Sequence, residues 1–368
     1  MASVLFVSKP IAAPWNDSGK NLVRDLARGM TRHRATVMVR AGDRPDVGNA
    51  ACKAVYGAPR GHGFAPALVD QARVFAALLA SRQHALWHFF FAPNPRSCLA
   101  GGLARRLRGT RCVHTISSAP KDPEAIVPQL FADVHVVLSR HTEARLLAAG
   151  LAPARMVRIP PAIAPLLRLD PAAKASLRAS FGMQACGPLV LYPGDLEFGE
   201  GGALLVAALA QLPGTTLVLA CRAKTSAAVA AERALLADAR RAGLGDRVVS
   251  LGETPRIHAL LACADVVALP SLDLYAKMDY PLVLLEAMSL GQPVVVARGS
   301  AAAELCEGEA ALASDATPTA LAATLSAVLG DADGARALGE RARAAVLLRY
   351  SHAVMARGYE SLYDQLLG

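Results

Sequence analysis

Twice along this chain, short uninterrupted apolar runs alternate with amphipathic stretches of helical period, and few folds satisfy that pattern. A run of four or five apolar residues without polar alternation must be covered on both faces. That is the condition of a parallel sheet sandwiched between helices. In the first set, residues 4–7, 35–39, 85–90, 111–116, 134–138 and 156–159 read as strands of this kind, with Arg111, Thr115, Arg158 and three histidines as their main polar interruptions. Between them, residues 19–32 place Leu22, Val23, Leu26 and Met30 on one helical face. Residues 64–81, 96–108 and 140–150 also read as helices. The second set has strands at 189–192, 216–220, 248–251, 266–269 and 293–296. Helices at 202–211, up to about residue 242, at 257–263 and at 282–290 alternate with them. The segment 159–174, with Pro160, Pro161, Pro165 and Pro171, reads as the connection between two domains. The fold class expected is α/β, with two doubly wound Rossmann-like domains facing a cleft. The first covers residues 1–165 and the second 166–348, and a terminal helix with Tyr350, Tyr359 and Tyr363 follows at 349–368.

Composition agrees and narrows the class. The 368 residues suit two domains at roughly 100–200 residues each. With 53% hydrophobic and 19% charged residues, the chain is not disordered. A net charge of +9 favours acidic partners without choosing among nucleic acid, anionic lipid and nucleotide phosphates. No basic–aromatic stripe is present, so nucleic acid is not expected. The seven cysteines are scattered without a C-x-x-C pair, which fits a reducing compartment and argues against a disulfide framework or zinc knuckle. Residues 201–221 carry no charge, but Gln211, Pro213 and Gly214 break the run into helix, turn and buried strand. The first residues read as a buried strand and not as a signal peptide. The expected location is the cytoplasm. The basic helix with Arg96, Arg105, Arg106 and Arg108 reads either as a solvated face or as peripheral contact with the inner face of an anionic membrane.

In doubly wound sheets, ligands bind at the carboxyl ends of the strands near the switch point, so the loops after strands hold the candidates. The richest is 274–296, LYAKMDYPLVLLEAMSLGQPVVV. Pro281 suits a first helical turn, and the free amides near Leu282 and Val283 make a phosphate site. Glu286 is the only charge on the helix that follows, and a buried carboxylate needs a partner. One turn in from a phosphate, it can accept from both hydroxyls of a ribose. A glutamate on a solvent-facing edge is the equally weighted alternative.

These residues carry a resemblance. Pro270-Ser271, Glu286-Ala287, Gly291-Gln292-Pro293-Val294-Val295 and Ala302 to Glu304 resemble the signature of glycosyltransferase family 4. That family comprises retaining enzymes of the GT-B fold that use nucleotide-sugar donors. The resemblance is strong over 188–315 and looser over 1–165. Ala264-Asp265-Val266, Ser139 and Ile159-Pro160 fall where the family has them. The terminal aromatic helix resembles the one that returns to the N-terminal domain. The resemblance implies a nucleotide-sugar donor as substrate, an unidentified acceptor (glycan, lipid-linked or small molecule), and neither metal nor other cofactor.

Several positions depart from the family pattern. The first glutamate of its Glu-x7-Glu is Met278 here. Its diphosphate-holding cations give way to acids in Gly194-Asp195-Leu196-Glu197-Phe198-Gly199-Glu200-Gly201, and its first-domain histidine becomes Ser117. Lys277, Arg222 and Lys224 are the candidate replacements, because a diphosphate needs cations. Asp195 and Glu197 then pair with those cations or with sugar hydroxyls.

On the first domain, the loop Pro14-Trp15-Asn16-Asp17-Ser18-Gly19-Lys20-Asn21 joins the first strand to the first helix. It lacks the spacing of a Walker loop. Asp17 or Ser18 caps the helix, which leaves Gly19, Lys20 and Asn21 as acceptor-side candidates. His88 and His114 lie on buried strands and read chiefly as core residues. His88, nearer its strand end, is the better acceptor-side candidate. Asp331-Ala332-Asp333 joins two predicted helices, and no metal is expected there. Besides transfer, two other functions fit the departures. One is a binding or partner subunit that has lost transferase activity, the other a sugar-nucleotide epimerase or hydrolase on the same fold.

Overall fold

The computed structural model describes residues 1–57, 67–183, 185–197, 199–223, 225–274 and 277–368, the side chains of Pro171 and Ala172 excepted. The chain forms two compact units. The first holds Met1–Ala164, Lys277–Asp279 and Tyr350–Gly368, and the second Pro165–Ala276 and Tyr280–Arg349.

The first unit contains β1 (Ser3–Val7), α1 (Ser18–Gly29), β2 (Arg34–Arg40), β3 (Ala51–Tyr56), α2 (Leu68–Leu79), β4 (Leu86–Phe90), α3 (Pro95–Arg108), β5 (Arg111–Ile116), α4 (Pro123–Ile126), β6 (Val134–Val137), α5 (Arg140–Ala148) and β7 (Met156–Arg158). The second has α6 (Pro171–Ser180), β8 (Leu189–Tyr192), α7 (Gly201–Leu209), β9 (Thr216–Leu219), α8 (Ser226–Arg241), β10 (Val248–Ser250), α9 (Ile257–Cys263), β11 (Val266–Leu269), α10 (Leu282–Ser289), β12 (Val294–Ala297), β13 (Leu312–Ser314), α11 (Pro318–Gly330) and α12 (Ala332–Arg349). The terminal helix α13 (His352–Leu367) belongs to the first unit.

Both sheets are parallel, in the orders β3-β2-β1-β4-β5-β6-β7 and β10-β9-β8-β11-β12-β13. Each begins at its centre, winds to one edge, then crosses over and winds to the other. The switch points therefore lie between β1 and β4 and between β8 and β11. The helices start on polar caps. Asp17, Asn94, Ser139, Asp170, Thr225 and Thr317 each accept the amide three residues on, satisfying one otherwise orphaned donor.

Helix α13 is tied to the first unit by a buried carboxylate. Glu360 accepts the backbone N–H groups of Thr31 at 2.8 Å and of His33 at 3.1 Å, just past the end of α1. Asp265, before β11, anchors α6 by pairing with Lys174 at 2.9 Å and with Arg178. Burial pushes the Asp265 carboxyl up, but Lys174, Arg178 and the Leu189 amide outweigh it and hold it below its usual value.

Three elements differ from the sequence reading. β3 is an edge strand whose first residues alternate between half-buried and exposed, so it lacks a continuous apolar run. β13 is a three-residue edge strand, too short to register as a pattern. α6 begins at Pro171, inside the expected connection, because proline at a first helical position after the Asp170 cap opens a helix. Residues 201–221 resolve into α7, a turn and β9. Among the described residues no helix is long and apolar enough to cross a membrane.

Candidate functional site

In the second unit, β8 and β11 are neighbours, and their carboxyl ends deliver two loops to the switch point. The loop after β8 is shaped around Tyr192, whose buried hydroxyl donates to the Asp195 carbonyl at 2.9 Å. Burial keeps this phenol protonated by raising it well above its ordinary value. A Cβ at Gly194 would stand 1.8 Å from the Tyr192 ring, and one at Gly201, the first residue of α7, 2.4 Å from the Ser271 hydroxyl. Glycine is therefore required at both positions. Asp195 is buried. Glu197 accepts from the Thr225 hydroxyl at 2.5 Å, which ties the loop to the cap of α8. The other oxygen of Glu197 is buried with no hydrogen-bond partner among the described residues.

The loop after β11 leads into α10. The Tyr280 hydroxyl donates to Glu304 at 2.7 Å and fixes the chain just before the helix. Pro281 is the cap residue itself, not the first helical residue, and its carbonyl accepts the Leu284 amide at 2.9 Å. The amides of Leu282 and Val283 thus have no carbonyl inside the helix to meet. Leu282 is buried and Val283 half-buried. Glu286 lies in the second turn, with its side chain 18% exposed, and one carboxylate oxygen is 3.3 Å from Nε2 of His258 on α9.

The candidate cations fall into three situations. Arg222 lies three residues beyond β9, is largely buried, and stands 4.0 Å from Glu253, which follows β10. Lys277 is half-buried and falls in the first unit. Lys224 lies outside the described residues. Near Lys277, the Asp279 carboxylate accepts from Ser139 Oγ at 2.5 Å, and its amide donates to the Ser117 carbonyl at 3.0 Å. Ser117 meets Asp279 through its backbone carbonyl. Met278 is buried.

In the first unit, the loop after β1 is stitched to itself. The Lys20 ammonium donates to the carbonyls of Ala12 at 2.8 Å and Pro14 at 2.9 Å, and the Asn21 amide to that of Trp15 at 3.1 Å. Asp17 caps α1 and pairs with Lys9 at 2.5 Å. Burial raises the Asp17 carboxyl, but Lys9 and the Lys20 amide hold it below its usual value. Gly19 occupies the first turn of α1, with the Asp17 carboxylate 3.1 Å from where a Cβ would sit.

His88 is not placed for an acceptor. It is fully buried, with one ring nitrogen 2.6 Å from the Tyr363 hydroxyl and the other 2.7 Å from Thr115 Oγ1. Both nitrogens belong to a core network with α13, and burial, helped by His114, holds the ring well below its usual pKa. Asp331 accepts the Gly334 amide at 2.9 Å and Asp333 pairs with Arg336, so this acidic pair serves the turn into α12. Tyr192, His258 and Tyr280 escaped the sequence reading, and Ser271 and Glu304 entered it only as parts of the resemblance, without a role. The glycines at 194 and 201 were the available signal for Tyr192 and Ser271.

Residues 187–331 match the family described as Glycosyl transferases group 1. The resemblance seen over 188–315 is thereby borne out. A D-inositol 3-phosphate glycosyltransferase of Nocardia farcinica is 32% identical over 218 residues, covering 57% of this chain and 47% of that protein. An N-acetyl-alpha-D-glucosaminyl L-malate synthase of Bacillus anthracis is 32% identical over 124 residues, 33% of this chain and 32% of that protein. The chain spans about half the length of the first of these curated relatives. Among solved structures, HepE of Anabaena, crystallised with UDP and glucose, superposes with a TM-score of 0.80 over all of both chains at 19% identity. A sucrose-phosphate synthase of Thermosynechococcus elongatus does so with 0.78 over 100% of this chain and 99% of that one, at 22% identity. The fold is GT-B, as expected, with two doubly wound α/β units.

Proposed function

We propose that this protein is a retaining glycosyltransferase that moves a sugar from a nucleotide-diphosphate donor to an acceptor hydroxyl. The observation that carries the reading is Glu286, a largely buried carboxylate one turn into the helix that starts at the second unit's switch point. Its placement suits a ribose, while the amides at Leu282 and Val283 suit a phosphate. The unpartnered buried oxygen of Glu197 awaits a donor, and a sugar hydroxyl supplies one. Similarity to proteins named as glycosyltransferases, and to a structure determined with UDP and glucose, supports the same donor class.

Catalysis in this reading is electrostatic. As the sugar carbon–oxygen bond breaks, negative charge grows on the departing diphosphate, and fixed donors aimed at it lower the barrier. Lys277 and Arg222 are assigned that charge, together with the start of α10. The acceptor hydroxyl attacks from the face the diphosphate leaves and gives its proton to the departing diphosphate oxygen, so configuration is retained. The nucleotide-sugar is a substrate, and side-chain cations do the work a metal does elsewhere. Contact with an anionic membrane surface is part of the reading, with α3 as the element that makes it.

A second reading, a subunit that binds nucleotide without transferring sugar, draws on the acids at 195 and 200, on Met278 and on Ser117. The two separate on a panel of nucleotide-sugars with released nucleotide measured. Transfer predicts release from at least one donor. Lys277→Ala and Arg222→Ala should then lower turnover more than nucleoside affinity, because they act on charge that grows in the transition state. Nucleotide binding without release from any donor selects the second reading.

A further inference from the structure

Helix α3 reverses the usual distribution of side-chain size. Leu99, Leu103 and Leu107 are 76%, 49% and 61% exposed, and their four-residue spacing lines them up in one stripe. The buried face holds only Cys98, Gly101 and Ala104. A Cβ at Gly101 would sit 2.4 Å from the Phe131 ring, so the helix lies close on its neighbours and leaves its bulk outside. At 100° per residue, Arg96 and Arg106 fall on the leucine side. Both are exposed, and neither pairs with a carboxylate among the described residues. Arg105 differs: it turns inward to the Phe131 carbonyl at 2.9 Å and to Asp133 at 2.5 Å. The helix contains no acid.

We infer that this face of α3 docks on an anionic lipid bilayer, with the leucines at the acyl boundary and Arg96 and Arg106 on lipid phosphates. The inference rests on the membrane part of the proposed function and is independent of which donor is used. An exposed apolar stripe flanked by unpaired cations is the make-up of a helix that lies in the interface plane. The eight steps from Leu99 to Leu107 span about 12 Å, long enough to lie along a surface. A second copy of the chain fits less well, because a two-fold contact through this face would bring the same arginines together. A lipid surface supplies the missing anions.

The test is co-sedimentation of the full chain with vesicles of phosphatidylcholine alone and of phosphatidylcholine mixed with phosphatidylglycerol. The protein should bind the mixed vesicles, and added salt should weaken binding. Each arginine near such a surface contributes about fivefold, so Arg96→Ser with Arg106→Ser should lower partitioning by more than about tenfold. Leu99→Gln with Leu103→Gln should do so by a similar factor. Leu348→Gln, exposed on the second unit, should change nothing. All these sites are exposed, so the unfolding temperature should hold. If the wild type binds and the α3 variants bind equally, membrane contact stands but the assignment to α3 falls. If the wild type binds no anionic vesicle, both fall. A dimer that the leucine changes dissociate, without vesicle binding, would overturn the proposal in favour of self-association.

Discussion

The sheet of the first unit buries His88, His114 and His135 on three neighbouring strands, whereas the second sheet is built almost wholly from valine, leucine and alanine. His258 is the second unit's one histidine, and its side chain is half exposed beside Glu286. Burial sets the first group's chemistry. It lowers His114 to about 4 and, with help from His114 and nearby arginines, His135 to about 3. These rings are neutral members of a core. The candidate groups of the second unit lie outside its strands, Arg222 three residues past β9 and Glu286 in the second turn of α10. In the first unit the titratable rings inside buried strands belong to packing.

The largest expected effect sets the two units apart by acid. The histidines' folded pKa values lie below the unfolded value of about 6.5, so below that pH the unfolded state binds more protons than the folded state. Stability is fully present above about pH 6.5 and falls as pH drops toward the folded values. Each histidine removes up to about 1.4 kcal/mol per pH unit across that window. Trp15 and Trp87, the only two tryptophans, both lie in the first unit, so their fluorescence reads that unit alone. The tryptophan-monitored melting temperature should fall between pH 7 and 5, and His135→Leu should flatten the fall. A transition that ignores pH over this range would break the comparison.

Next in size is Gly194→Ala. The added carbon meets the buried Tyr192 ring and must move it or the loop, at about 1–3 kcal/mol. Thermal unfolding should show that loss, and calorimetry a weaker nucleotide complex. Lys20→Met removes two hydrogen bonds from the loop after β1, in a partly exposed setting, at about 1 kcal/mol. Its effect should appear in stability and not in nucleotide affinity. If affinity falls as well, Lys20 acts on the donor and the contrast between the two loops fails. The smallest change is Gly19→Ala, where a flexible carboxylate end, and no buried ring, meets the new carbon. Melting should shift by less than about 1 kcal/mol equivalent, well short of Gly194→Ala.

Apolar runs covered on both faces announce themselves, so every strand inside either sheet was legible in the sequence. The edge strands β3 and β13 were not, since one alternates and the other has three residues. At the site, Glu286 stood out because it is the one charge on an apolar helix. The roles of Lys20 and Asn21 were hidden because their acceptors are main-chain carbonyls, which no side-chain pattern encodes. His88, read chiefly as a core residue, is one, and only its secondary assignment to the acceptor side fails. Its partners, Thr115 and Tyr363, are 27 and 275 residues away in sequence, and only the fold brings them together.

The claim that most needs a direct test is that Glu286 holds the ribose of a nucleotide on the second unit. Calorimetric titration of a nucleoside diphosphate into the full chain, wild type and Glu286→Ala, measures it. The account predicts that the substitution weakens binding by about 1–3 kcal/mol, the scale of charge-assisted hydrogen bonds, with the melting temperature kept. Equal affinity in the two proteins, both folded, would contradict it.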